Sequence, residues 1–102
     1  MTHEKPTTFR KDDSGKPRFD LVPPWALNEV AAVLAFGAAR YGAENWREVE
    51  PGQRWRYSAA ALRHVYAWLR GERLDPESGC HPLAHAVCCL LFLLELEIEG
   101  KP

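Results

Sequence analysis

Five side chains able to bind metal or move protons fall in one short stretch: His64, Glu72, Asp75, His81 and His85. A four-residue step from His81 to His85 aligns two imidazoles on one helix face, provided His81 is already helical. With Glu72 and Asp75 beside them, the set is a candidate site for Mg, Mn or Zn. The plainer alternatives are a histidine bonded to a nearby carbonyl and an acidic turn that complements a helix dipole. Asp75 or Ser78 can also act as a simple helix cap. A second group mixes cations, aromatics and an amide: Lys16, Arg18, Arg40, Tyr41, Asn45 and Trp46, with Arg63 among the arginines downstream. A nucleotide needs cations for phosphate, a flat surface for the base and an amide for the base edge. For Trp46 the alternative is an indole that plugs the base of its loop, and for Arg40 a solvated residue at a helix C-terminus.

The elements that must hold these groups are helical. Leu27, Val30, Leu34 and Ala38 recur at helical spacing between Trp25 and Ala39, with Pro24 preset for a first turn and Gly42 available as a stop. A second helix runs from Trp55 to Leu69 through Ala59, Leu62, Tyr66 and Leu69, and Gly71 ends it. A third starts near Pro82 and continues to about Glu99, apolar on nearly every side from Leu83 to Leu96. The turn between the second and third helices makes them a hairpin, which brings His64 close to the first turn of the third. Residues 1–17 are polar and read as a flexible N-terminal segment. Arg18 to Val22 alternates and is expected to be a short extended piece that straps the helices. The expectation is an all-α fold: one domain over 18–102 with three helices, completed by homo-oligomerisation into a helical bundle.

Bulk properties narrow the function. A chain of 102 residues, 46% apolar, has room for one ordinary core. A net charge of −1 gives no global field for a nucleic-acid polymer, so a small anionic ligand is the better match. Cys80, Cys88 and Cys89 form no CxxC pair, and neighbouring residues on a helix point about 100° apart, so packed, reduced thiols are expected. No secretory leader is visible, and the run from Leu90 to Leu96 is too short for a bilayer, so no membrane partner and a cytoplasmic location are expected. Phosphate-loop, GxSxG and HExxH motifs are all missing, as is the adjacent His-Asp pair of a metal phosphohydrolase.

Several separated blocks in order carry a family likeness. They are Asp12 to Pro23, with Lys16-Pro17-Arg18-Phe19-Asp20 inside it; Val33 to Gly42 followed by Asn45-Trp46; Ala61-Leu62-Arg63-His64; Gly71-Glu72; Asp75 to Gly79; and Leu83-Ala84-His85-Ala86. Together they resemble the phage dATP/dGTP diphosphohydrolase N-terminal family, over nearly the whole chain from Lys11. The resemblance implies kinship with all-α, MazG-like pyrophosphohydrolases, which split a deoxynucleoside triphosphate into monophosphate and pyrophosphate with Mg or Mn. It implies Glu72 and Asp75, with Glu29, on metal; His64 or His85 in ligation or proton transfer; and Lys16, Arg18 and Arg40 on phosphates. On this view His64, Glu72 and Asp75 are the catalytic group. One departure stands out: MazG-like enzymes pair acids as ExxE and ExxD on two helices, whereas the first helix here has only Glu29 and the third has no acid before Glu95. A protein that binds and sequesters a nucleotide without cleaving it is therefore the alternative expectation.

Overall fold

The structure is a computed structural model that describes residues 8–100. Three α-helices, α1 (Pro24–Tyr41), α2 (Trp55–Leu69) and α3 (Pro82–Ile98), are joined by loops holding short 3₁₀ turns at Asn45–Glu48 and Pro51–Gln53. No strand occurs among the described residues. Local chemistry sets the helix ends. Pro24 and Pro82 occupy first turns, where a missing N–H costs nothing. Gly42, at φ 100°, ends α1. α2 ends in a Schellman pair, with Gly71 N–H donating to the Trp68 carbonyl at 2.9 Å and Glu72 N–H to that of Ala67 at 3.0 Å.

α3 is the hub, packing on α1 along one side and on α2 along another. Small residues make this possible: Ala84, Ala86, Cys88 and Cys89 are all buried and let both neighbours come close. Val30 and Val33 of α1 meet Ala84 and Cys88, with Cys80 and Phe92 at the margin. The Cys88 thiol donates to the Val30 carbonyl at 3.4 Å, and burial pushes its pKa up to about 12, so it is an inert packed thiol. Among the described residues all three cysteines are unbridged.

Three sequence expectations need correction. Arg18 to Val22 is not extended: Phe19–Leu21 is a 3₁₀ turn, locked by a two-bond ion pair from Arg18 to Asp20 at 2.9 and 2.7 Å. It does not strap the helices either, because Phe19 and Leu21 are 81% and 68% exposed. Five alternating residues with no neighbouring strand have nothing to pair with, and the local clamp prevails. Finally, His81 is not helical. It is the N-cap of α3, with extended backbone and Nδ1 accepting the Leu83 N–H at 3.0 Å, so it does not share a helix face with His85. The periodic stripes that mark the helices mostly face outward in a single chain: Leu27, Leu34, Leu62, Tyr66 and Leu69 are all exposed, while Val30, Val33 and Ala61 are buried. The radius of gyration, 19.0 Å, is well above the roughly 13 Å of a compact domain this long. Among the described residues no helix is long and apolar enough to cross a membrane.

Candidate functional site

A cleft of about 550 Å³ opens between the three helices, the loop after α1 and the turn before α3. At its polar end the α2–α3 hairpin stacks two imidazoles, His64 on His85, with ring centroids 4.7 Å apart and planes 20° from parallel. Phe36 of α1 meets the His85 ring edge-on at 6.4 Å. His64 is held neutral: burial lowers its pKa, the neighbouring His85 lowers it further, and Arg63 adds to this against the opposing pull of Asp75.

The turn from Asp75 to Cys80 is tied into a knot. Asp75 N–H donates to the Cys80 carbonyl at 2.7 Å, and Gly79, at φ 73°, donates its N–H back to the Asp75 carbonyl at 2.8 Å. One Asp75 oxygen, Oδ2, accepts the N–H groups of Glu77 and Ser78, each at 3.0 Å. Burial pushes the Asp75 carboxyl up, but those two N–H groups, the adjacent His85 and the Ser78 hydroxyl outweigh it and hold the acid below its usual range. Ser78 Oγ lies 2.6 Å from His85 Nε2 and 3.3 Å from Asp75 Oδ2, while accepting the Cys80 N–H. Asp75 and His85 themselves stand 3.8 Å apart. The hydroxyl thus lies between an imidazole nitrogen and a carboxylate oxygen, within hydrogen-bond distance of both. The result is a relay of Asp75, Ser78 and His85, with His64 stacked on its end.

The cation side is formed by Arg40, Arg63, Tyr41 and Asn45, all of which line the cleft. Arg40 bonds Glu77 at 3.1 Å, which ties α1 to the knotted turn, and its guanidinium stands 5.3 Å from the centre of the exposed Tyr41 ring. Arg63 makes no ion pair among the described residues. Trp46 also lines the cleft, but its ring is engaged: it stacks on Phe92 at 4.8 Å, and Arg47 lies over it at 4.4 Å. Arg47 in turn bonds Glu44 and both oxygens of Glu99, at 2.9 and 2.8 Å, which fastens the loop to the end of α3.

The structure therefore brings together His64, Asp75, His85, Arg40, Tyr41, Asn45, Trp46 and Arg63. It leaves others apart. Glu72 is exposed and bonded to Arg70 at 3.0 Å, and His81 lines a separate, mostly apolar hollow of about 320 Å³ with Glu29 and Arg73. Lys16 and Arg18 are on the exposed N-terminal segment and do not line the cleft. Glu72, Asp75, His81 and His85 thus do not converge, and no three His, Cys, Asp or Glu side chains among the described residues are placed to hold a metal ion. Sequence reading missed Ser78 as a bridge and the aromatic walls Phe36, Tyr57 and Phe92. The serine's only signal was its place in the acidic turn, and the aromatics carried no signal that set them apart from other apolar residues of their helices.

The family described as dATP/dGTP diphosphohydrolase, N-terminal, matches residues 6–102. A relative from Salmonella phage PMBT28, called dATP/dGTP diphosphohydrolase, is 37% identical over 92 residues, which cover 90% of this chain and 30% of the relative. The chain thus spans about a third of the length of the curated relative it matches. No solved structure matches.

Proposed function

The chain belongs to the dATP/dGTP diphosphohydrolase N-terminal family, and from that premise we propose that its cleft receives a purine deoxynucleoside triphosphate for hydrolysis to monophosphate and pyrophosphate. The observation that carries the reading is that His64, Asp75 and His85, the last two joined behind the cleft wall by Ser78, line the same cleft as Arg63, a cation with no ion pair among the described residues. A cleft of about 550 Å³ lies within the range of small-molecule sites. In this reading Arg63 and Arg40 meet phosphate oxygens, while Tyr41 and Asn45 face the base. A water attacks the α-phosphorus, the bond from that phosphorus to the bridging oxygen breaks, and pyrophosphate leaves. The proton of the water passes to a neutral imidazole.

The described residues of one chain do not form a cage for a resident metal, so no step is assigned to one. Mg or Mn enters this reading only as part of the substrate, on the triphosphate. The test is pyrophosphate release from dATP and dGTP, measured with Mg or Mn and without either. Wild type releases it, His64→Ala and Asp75→Asn lower the rate by about 10²-fold or more, and Glu72→Ala, outside the cleft, does not. Equal silence of all three variants and wild type would remove the hydrolytic reading.

The missing cage favours a second reading, in which the domain binds a nucleotide and does not cleave it. Recovery of intact triphosphate after heat release from the protein supports that reading; recovery of monophosphate excludes it.

A further inference from the structure

The aromatic end of the cleft is built around Phe92 of α3. Trp46 stacks on its ring at 4.8 Å, and Tyr57 of α2 meets it edge-on at 5.3 Å with the planes 72° apart. Rings braced in this way hold the polar atoms they carry in place. Ala60 and Cys89 add apolar surface to the same cleft. Two neutral polar groups of its lining, the Tyr57 hydroxyl and the Asn45 side-chain amide, make no hydrogen bond among the described residues. Burial pushes the Tyr57 pKa above its ordinary 10, and Cys89 and Tyr41 push it the same way against Arg56. The hydroxyl therefore keeps its proton and can donate. A mostly apolar slot with a few unsatisfied polar groups is what a flat heteroaromatic base requires.

We infer, resting on the reading of the cleft as a purine site, that Asn45 reads the C6 edge of either purine by a half-turn of its amide while Tyr57 donates to N7. Adenine offers an amino donor at C6 beside an acceptor at N1, and guanine offers a carbonyl acceptor beside an N1–H donor. A fixed donor and acceptor match one base and leave unpaired groups against the other. A carboxamide carries one donor group and one acceptor at equal reach, and rotation about its last bond exchanges them. Among the described residues nothing pins the Asn45 amide in one orientation, so one side chain serves both bases. This reading alone does not separate purines from pyrimidines, because cytosine and thymine carry the same two patterns. N7 does, since it is an acceptor in adenine and guanine alike and pyrimidines lack it. The protonated Tyr57 hydroxyl is the matching donor. Asn45 thus tolerates the difference between the two purines, and Tyr57 selects the class.

The test is calorimetric binding of the α,β-methylene analogues of dATP and dGTP, which resist cleavage between those phosphates, each compared with its 7-deaza form. Wild type is expected to bind the two purines within about threefold of each other and to lose about tenfold when N7 becomes CH. Tyr57→Phe keeps the ring against Phe92 and is expected to bind the N7 and 7-deaza forms equally. Asn45→Asp, an acceptor only, is expected to shift the ratio toward adenine by about tenfold or more. The 7-deaza comparison on wild type needs no substitution, and helical circular dichroism checks the fold of both variants. An unchanged ratio in Asn45→Asp overturns the inference, as does a wild type indifferent to N7 or a Tyr57→Phe variant that still senses it. Binding that follows this pattern without pyrophosphate release from dATP and dGTP removes hydrolysis and keeps the reading pair. Release with unaltered base preferences does the reverse.

Discussion

His64 is a histidine kept neutral by its surroundings, and this gives the protein a measurable pH response. Burial, the facing His85 of α3 and Arg63 of its own helix lower its pKa, with Asp75 of the turn opposing them. Between that lowered value and the ordinary 6.5, the unfolded chain binds the proton and the folded one does not. Stability from this residue is therefore full above about pH 6.5 and falls as pH drops below it. Asp75, held below its ordinary 3.8, contributes a second loss as pH falls below about 4. Urea unfolding at a series of pH values is expected to show both declines, and His64→Gln to remove the first while keeping the second. An unchanged upper decline in that variant would exclude His64 as its source. Part of this cluster was legible in the sequence, because a hairpin of the second and third helices brings His64 near the first turn of the third, where His85 lies. The role of His81 was not. The shared helix face with His85 required a helical His81, but a residue before a proline at a helix start favours extended backbone, and here it caps the helix instead.

At the scale of elements, the α2–α3 hairpin that stacks the histidines depends on how α2 stops. Gly71 sits at φ 99°, where a side chain is strained, and its N–H closes the Schellman turn. Gly71→Ala is expected to cost about 1–2 kcal/mol. Gly37 is the counter-case: it lies within α1 and an added methyl meets nothing within 4 Å. Gly37→Ala is expected to stabilise by about 0.8–1 kcal/mol through helix propensity. Thermal melts of the two variants should move in opposite directions, and movement in the same direction would remove the backbone account of Gly71. The helices themselves could be read from Pro24, Gly42, Gly71, Pro82 and the three-to-four spacing of apolar residues, since each of these acts within a turn or two of chain. The segment before α1 could not. An extended piece is defined by a neighbour that accepts its hydrogen bonds, and no pattern of five residues reveals that the neighbour is missing.

At the scale of the whole molecule, a hub helix with two neighbours leaves too much apolar surface for one chain to bury. Leu90, Leu94 and Ile98 on α3, and Leu62 and Tyr66 on α2, are exposed along with Leu27, Ala31 and Leu34 on α1. A second copy bound to the folded chain alone would stabilise it by mass action, and the midpoint of thermal unfolding would then rise with protein concentration. Each tenfold increase is worth about 1.4 kcal/mol per dimer. Two chains of this length have an unfolding entropy of about 0.4 kcal/mol/K, so the expected rise is about 3 °C per tenfold. Ala31→Glu is expected to abolish the dependence and lower the midpoint to a value that no longer changes on dilution. A substitution that merely weakens α1 lowers the midpoint as well but leaves the slope in place. The slope, not the midpoint, is thus the quantity that separates a covered face from a helix that is simply less stable.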